Sequence, residues 1–335
     1  MHIPDAVLDP RVAAVTAAMG AAGLSYGLKS VEGQLKERTT SLMGMMSAFI
    51  FAAQMVNFPV GPGVSGHLLG GVLAAVMLGP WAGAVVIAAV LIVQCFLFGD
   101  GGLTALGANF VNMGLIGSVV GYAIYAPIRR WIGGQRGILI AAVIAAWFTV
   151  LLAAGACAAE LSASGNHRDF FRILSWMALV HAVIGLGEAI ITGLVVRFIL
   201  LTRPELIEQD PTWGLEPLVP GSGEPPRRWL PTVLGGLGVA LAVVVFLSPL
   251  ASELPDGLEF VGQRIGFLAD ESSSSPIPVP MPDYQLPLPS LEHVKAATAV
   301  AGLVGTLVVF AVSWGLARVF SGAGRRSERA SADAA

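Results

Sequence analysis

Charge is scarce in this sequence. Asp, Glu, Lys and Arg make up 12% of the 335 residues, about half the roughly 25% of a soluble domain. Cysteine is nearly absent. Cys95 and Cys157 both lie in apolar runs, so they read as small packing residues and no disulfide framework is expected. Histidine is limited to five positions. No GxxxxGK[ST] stretch occurs, which excludes ATP hydrolysis by a phosphate loop of that kind. No HExxH occurs either, which removes the commonest zinc hydrolase signature. The net charge of -3 gives no electrostatic reason to expect nucleic acid.

What is abundant is apolar sequence: 55% of the chain is hydrophobic, the composition of a multi-span membrane protein. A helix crossing the bilayer core needs about 20 mostly apolar residues. Nine segments qualify approximately: Val12–Leu28, Thr40–Val56, Gly66–Leu78, Trp81–Phe98, Leu103–Tyr125, Gly137–Ala159, Ile173–Leu201, Trp229–Leu250 and Val294–Phe320. The third is short and rich in glycine. Basic residues set the orientation, because Lys and Arg accumulate in cytoplasmic loops. With the N-terminus outside, 14 of the 19 basic residues fall inside; only Arg11, Arg168, Arg172, Arg264 and Lys295 fall outside. The expectation is N-terminus out and C-terminus in. A signal peptide is not expected, since Met1 to Pro10 carries Asp5 and Asp9 and no basic residue before Arg11.

Residues 1–201 hold seven spans joined by short loops. A proline-rich polar linker follows at 202–228. Residues 229–320 form a two-span hairpin whose outside loop contains "SSSSPIPVPMPDYQLPLP", a composition that cannot bury a core. Residues 321–335 read as a disordered cytoplasmic tail. Gly66 with Gly70, and Gly117 with Gly121, have the four-residue spacing that lets membrane helices approach closely.

The residues with chemistry begin at the terminus, "MHIPD". Histidine is too bulky to favour removal of Met1, so a free amine is expected there. That amine, the amide nitrogen of His2 and its imidazole can chelate one metal through fused rings. Three nitrogens in a plane leave one in-plane position, and square-planar nitrogen sites suit Ni(II) and Cu(II). The amide must lose its proton, so binding weakens at low pH. His67, in "GPGVSGHLLGG", lies on the same side of the membrane and is the best fourth nitrogen. An incidental terminal histidine and a hydrogen-bonded helix histidine remain the plain alternatives.

His167 and His293 read as loop and interfacial residues. His181 and Glu188, seven apart, face one side of a helix; they suit interhelical hydrogen bonding, or a cation or proton path. Gln94, Asp100, Asn109 and Asn112 are polar residues in or near the membrane that suit support of a site or structural contacts.

"MHIPD", "SGHLLGG", "LFGDGGLTALGANFVNMG" and "HAVIGLGEAIIT", in this order, resemble the CbiM/NikM family, the substrate-capture subunits of energy-coupling factor transporters for cobalt and nickel. The resemblance covers about residues 1–201. "PDGLE" at Pro255–Glu259 resembles the small NikN-type companion, here fused at the C-terminus. One departure is Ala6, where the family usually has glycine, which bears on the turn after Asp5.

The resemblance implies an all-α integral membrane protein: a seven-helix bundle plus a two-helix hairpin. It implies a metal held by the Met1 amine, the His2 amide and imidazole, and the His67 imidazole. Ni(II) or Co(II) is then cargo, with no permanent cofactor, and the chain is not an enzyme. ATP hydrolysis is assigned to separate ATPase subunits coupled through a transmembrane protein, in a bacterial plasma membrane. The planar nitrogen set leans to nickel, although Co(II) accepts the same ligands. The hairpin's role is left open; one hypothesis is that its outer loop presses on the N-terminal metal loop and gates release. Two other classes stand beside this reading. A self-sufficient transporter or channel needs carboxylates along a path, and only Glu188 clearly qualifies. A membrane metalloenzyme needs an open metal position and a base.

Overall fold

The computed structural model describes residues 1–32, 37–165, 170–207, 229–268, 278–286 and 294–333. Most of the linker (208–228), His167 and His293 lie outside the described residues. The helices are α1 (Pro10–Glu32), α2 (Glu37–Gln54), α3 (Gly71–Leu78), α4 (Pro80–Val93), α5 (Leu106–Asn109), α6 (Gly121–Ile132), α7 (Gly134–Ala163), α8 (Phe170–Thr202), α9 (Trp229–Ala242), α10 (Gly257–Ile265) and α11 (Val294–Asp333). A π-helical turn, Gln94–Phe98, extends α4, and a π-helical stretch, Phe110–Val120, joins α5 to α6. Six helical runs among the described residues are long and apolar enough to cross a membrane. Three of the nine expected segments, those at α1, α2 and α3, fall short of that measure.

The third segment differs most from expectation. Gly66–Leu78 is not one helix. Strands β1 (Phe58–Gly61) and β2 (Val64–Gly66) pair antiparallel, an irregular stretch carries His67, and only Gly71–Leu78 is helical. Gly70 has φ +79°, a left-handed conformation that glycine adopts without a Cβ penalty. Gly66 and Gly70 therefore do not form a helix-packing pair. Gly117 and Gly121 do pack helices. A Cβ on Gly71 would fall 2.6 Å from the Gly117 carbonyl carbon, and one on Gly121 would fall 2.7 Å from Val72, so α3 threads the bundle only because both sides are bare. All eight residues of α3 are buried, enclosed by α4, α6, α7 and the π stretch.

Polarity runs opposite to that of a soluble bundle. On α8, Leu179, Val183, Leu186, Ile190 and Leu194 are exposed at spacings of three and four, while His181, Glu188 and Thr192 are buried. Apolar side chains face lipid and polar ones face protein. The hairpin helices α9 and α11 pack on α2, and α10 packs on α8 and β2. Helix α11 continues to Asp333, past the expected end at Phe320. Its last stretch, residues 321–333, carries three Ala and three Arg, which favour helix, beside three Ser and two Gly; composition alone suggested a disordered tail.

Residues 1–9 have no regular structure, yet Ile3 is fully buried and Met1 is 3% exposed. The chain turns after Asp5 with Ala6 at φ +64°. That left-handed conformation costs a Cβ-bearing residue about 1–2 kcal/mol. Ala6→Gly is expected to stabilise the protein by about 1 kcal/mol, seen as a higher melting temperature of the detergent-solubilised chain. An unchanged or lower melting temperature would show that the turn is not strained.

Candidate metal centre

The N-terminal segment is held by backbone recognition. Asn109 reads both polar groups of Ile3: its Oδ1 accepts from the Ile3 amide at 2.8 Å and its Nδ2 donates to the Ile3 carbonyl at 3.1 Å. The Gly102 amide donates to the same carbonyl at 2.8 Å. The Asp5 carboxylate accepts from the amides of Leu103 and Thr104, at 3.1 and 2.8 Å, and from the Thr104 hydroxyl at 2.7 Å. A Cβ on Gly102 would fall 2.4 Å from the Asp5 nitrogen, so the two backbones meet directly. These contacts aim residues 1 and 2 into the protein.

The His67 stretch is fixed from the opposite side. Glu188 accepts from the amides of Leu69 and Gly70, at 2.6 and 2.9 Å. Gln54 donates to the Leu69 carbonyl at 2.8 Å, and Gln94 donates to Gln54 at 2.8 Å. Irregular backbone inside a membrane protein survives only where protein groups satisfy it, which is the role these three polar residues take. His67 Nδ1 lies 3.0 Å from the Leu68 carbonyl. A carbonyl only accepts, so Nδ1 carries the hydrogen and Nε2 presents its lone pair.

That lone pair faces the chain terminus. His67 Nε2 is 2.6 Å from the Met1 amine nitrogen, and the His2 and His67 rings stack, with centroids 5.1 Å apart and planes at 18°. His2 Nδ1 is 3.1 Å from Asp100 Oδ1. Burial, ahead of the pull of Asp100, lowers the His2 imidazole to about 4, so the ring is neutral at ordinary pH. Its Nε2 is buried without a hydrogen-bond partner among the described residues. Fused-ring chelation uses Nδ1, so a metal bound that way replaces the Asp100 contact. Among the described residues no three His, Cys, Asp or Glu side chains group as a metal site. The donors brought together here are the Met1 amine and the His2 and His67 imidazoles, with the His2 amide between the first two along the chain.

Two residues that sequence reasoning missed complete the surroundings. Asp256, the aspartate of the PDGLE motif, accepts from the Met1 amine through Oδ2 at 2.6 Å, and the same oxygen is 3.7 Å from His67 Nε2. Burial raises the Asp256 carboxyl, but the adjacent Met1 ammonium and His67 outweigh it and hold the group well below the usual carboxylate range. Tyr284, from the same hairpin loop, donates to Asp100 Oδ2 and stacks on Phe98. Burial and the Asp100 charge raise its phenol well above the ordinary value, which keeps it a donor. The hairpin loop and the N-terminal segment thus meet at two carboxylates. For Asp256 the sequence signal was the PDGLE motif itself, and for Tyr284 only its place in a loop assigned to the same side as His2.

The other candidates separate. His181 and Glu188 do not pair. His181 Nδ1 lies 2.8 Å from the Met177 carbonyl, while Glu188 is engaged with the 69–70 backbone. Seven residues put them on one helix face but about two turns apart. Asn112 donates to Glu160 on α7 at 2.8 Å.

The sequence matches two families in order. The CbiM family, described as the cobalt uptake substrate-specific transmembrane region, matches residues 2–206, and the PDGLE domain matches residues 230–322. A putative fused nickel transport protein NikMN of Archaeoglobus fulgidus is 38% identical over 323 residues, covering 95% of this chain and 98% of that protein. The probable fused nickel transport protein LarMN of Lactiplantibacillus plantarum is 32% identical over 75% of this chain and 76% of its own length. A crystal structure of a truncated transition metal transporter superposes with a TM-score of 0.55 at 34% identity, over 60% of this chain and 99% of that one. The chain therefore belongs to the CbiM family of cobalt-uptake membrane proteins, with a PDGLE domain joined behind it, and is a nickel/cobalt-type metal transport protein.

Proposed function

We propose that this chain captures Ni(II) or Co(II) at an outward-facing site of four nitrogens: the Met1 amine, the His2 amide, the His2 imidazole and His67 Nε2. The observation that carries the reading is the 2.6 Å approach of the Met1 amine to His67 Nε2 across 66 residues of chain. Metal–nitrogen bonds of about 2.0–2.1 Å place neighbouring nitrogens of a square about 2.9 Å apart. The two donors already stand close to that spacing, inside an apolar bundle and with the His2 ring stacked alongside.

The capture step belongs to an ATP-driven energy-coupling factor importer of the plasma membrane. This chain is its substrate-binding subunit, and a transmembrane coupling protein and ATPase subunits are its partners. Two features support that assignment: the absence of a phosphate loop in the chain, and the engagement of Glu188 by backbone amides, which removes it from an unassisted ion path. The names of the fused relatives favour nickel.

Metal analysis of purified protein tests the site. His2→Ala and His67→Ala are each expected to remove nearly all bound nickel; full retention in His2→Ala would overturn the assignment. One residue added before Met1 displaces the amine and is expected to abolish binding, whereas a C-terminal tag is expected to leave it intact. In vesicles, nickel uptake is expected only when ATPase subunits and ATP are present. Uptake by the purified chain alone would overturn the ATP-driven reading while leaving the site standing.

A further inference from the structure

We propose that Asp256 of the PDGLE hairpin is part of the capture site, as a positioning residue: its carboxylate holds the Met1 amine beside His67 Nε2 and supplies the buried negative charge that offsets the cation. This rests on the nitrogen site proposed above.

The two oxygens of Asp256 are divided between two tasks. Oδ1 caps α10, accepting from the amides of Leu258 at 2.7 Å and Glu259 at 2.9 Å. Glu259 returns the bond by accepting from the Asp256 amide at 2.9 Å, which closes a capping box. With Oδ1 committed and the backbone fixed, Oδ2 has one direction left, and it meets the Met1 amine at 2.6 Å. An amine bound to a metal still has hydrogens to donate. A carboxylate that accepts one orients the nitrogen and raises its basicity, as carboxylates do for metal-bound histidines.

The motif is seated for this purpose residue by residue. Ser65, two positions before His67, donates through its amide to the Pro255 carbonyl at 2.9 Å and through its hydroxyl to the Leu254 carbonyl at 2.7 Å. Gly257 must be bare, because a Cβ there would lie 2.6 Å from Ile184 and 2.9 Å from His181. Leu258 is fully buried. Pro-Asp-Gly-Leu-Glu thus reads as a carbonyl anchor, a cap with a free oxygen, a close approach, an apolar plug and the return half of the cap.

Charge points the same way. A divalent cation bound to one deprotonated amide keeps a net positive charge, and a buried uncompensated charge is costly. Asp100, the other nearby acid, has a side chain 29% exposed, against 12% for Asp256. The more buried acid is the one on the amine, so it sits in the lower dielectric and acts more strongly.

Asp256→Asn and Asp256→Ser in the full-length protein test this, because both residues remain good helix caps while the negative charge and the Oδ2 acceptor facing Met1 are removed. With Ni(II) as the probe, each is expected to bind about 10- to 100-fold more weakly. The Ni(II) ligand-field absorption is expected to move to longer wavelength, since an amine without its carboxylate acceptor is a weaker donor. The metal-free variants are expected to melt at a lower temperature, because the Met1 amine loses one of its two buried partners, while circular dichroism shows the helical fold retained. Binding within about twofold of the unsubstituted protein, or weaker binding with an unmoved absorption band, would overturn the proposal. Neither result touches the nitrogen site itself, which stands or falls on the His2 and His67 substitutions.

Discussion

A buried main-chain amine is the constraint around which this molecule is arranged. The Met1 nitrogen sits inside an apolar bundle, where an unpaired charge or donor costs several kcal/mol. Its two close partners come from distant parts of the chain, His67 and Asp256. One nitrogen thereby joins the N-terminal segment, the irregular stretch before α3 and the C-terminal hairpin. Each of those parts needs its own anchoring for the junction to hold. Asn109 and Asp5 fix the first, Glu188 and Gln54 the second, and the capped start of α10 the third.

That arrangement explains where the polar residues lie. A bundle whose outer surface is Leu, Ile, Val and Phe has few places for amides and carboxylates, and each one buried must satisfy something specific. Gln94 reaches the His67 stretch through Gln54 and Leu69, two hydrogen bonds away. Asn109 spends both ends of its amide on one residue, Ile3. These side chains hold irregular backbone in place, and this lets the stretch before α3 and nine residues of N-terminal segment lie inside the protein without regular secondary structure.

The apolar spans and the polarity of their inner faces were legible in the sequence because hydropathy and 3.6-residue spacing are local signals. So was the concentration of donors in "MHIPD". The β1–β2 pair was not. "FPVGPGVSGHLLGG" is apolar and glycine-rich, and that composition suits a short span as well as a hairpin; the decision came from Glu188 and Gln54 pairing with its backbone, contacts that sequence does not display. The same reason hid Asp256. A bond between residues 1 and 256 leaves no periodicity, and PDGLE read alone is a helix start. The glycine spacing succeeded at Gly117 and Gly121, which lie on one helical run, and failed at Gly66 and Gly70, where the run is interrupted. Ala6 was noticed as a departure, and its positive φ shows why glycine suits that turn.

Fusion of the hairpin follows from the same junction. Were Asp256 carried on a separate protein, the bond to Met1 would depend on that partner's concentration and on the cost of docking it. A covalent linker turns the encounter into an intramolecular one. The contacts on either side of the carboxylate are weak singly: two bonds to Ser65, one from Ser252 to the Asn57 carbonyl and one from Met281 to the Leu97 carbonyl. Intramolecular contacts of about 1 kcal/mol each are enough to seat a tethered loop, and would be marginal for a free one. A loop seated by small contacts can also leave at small cost.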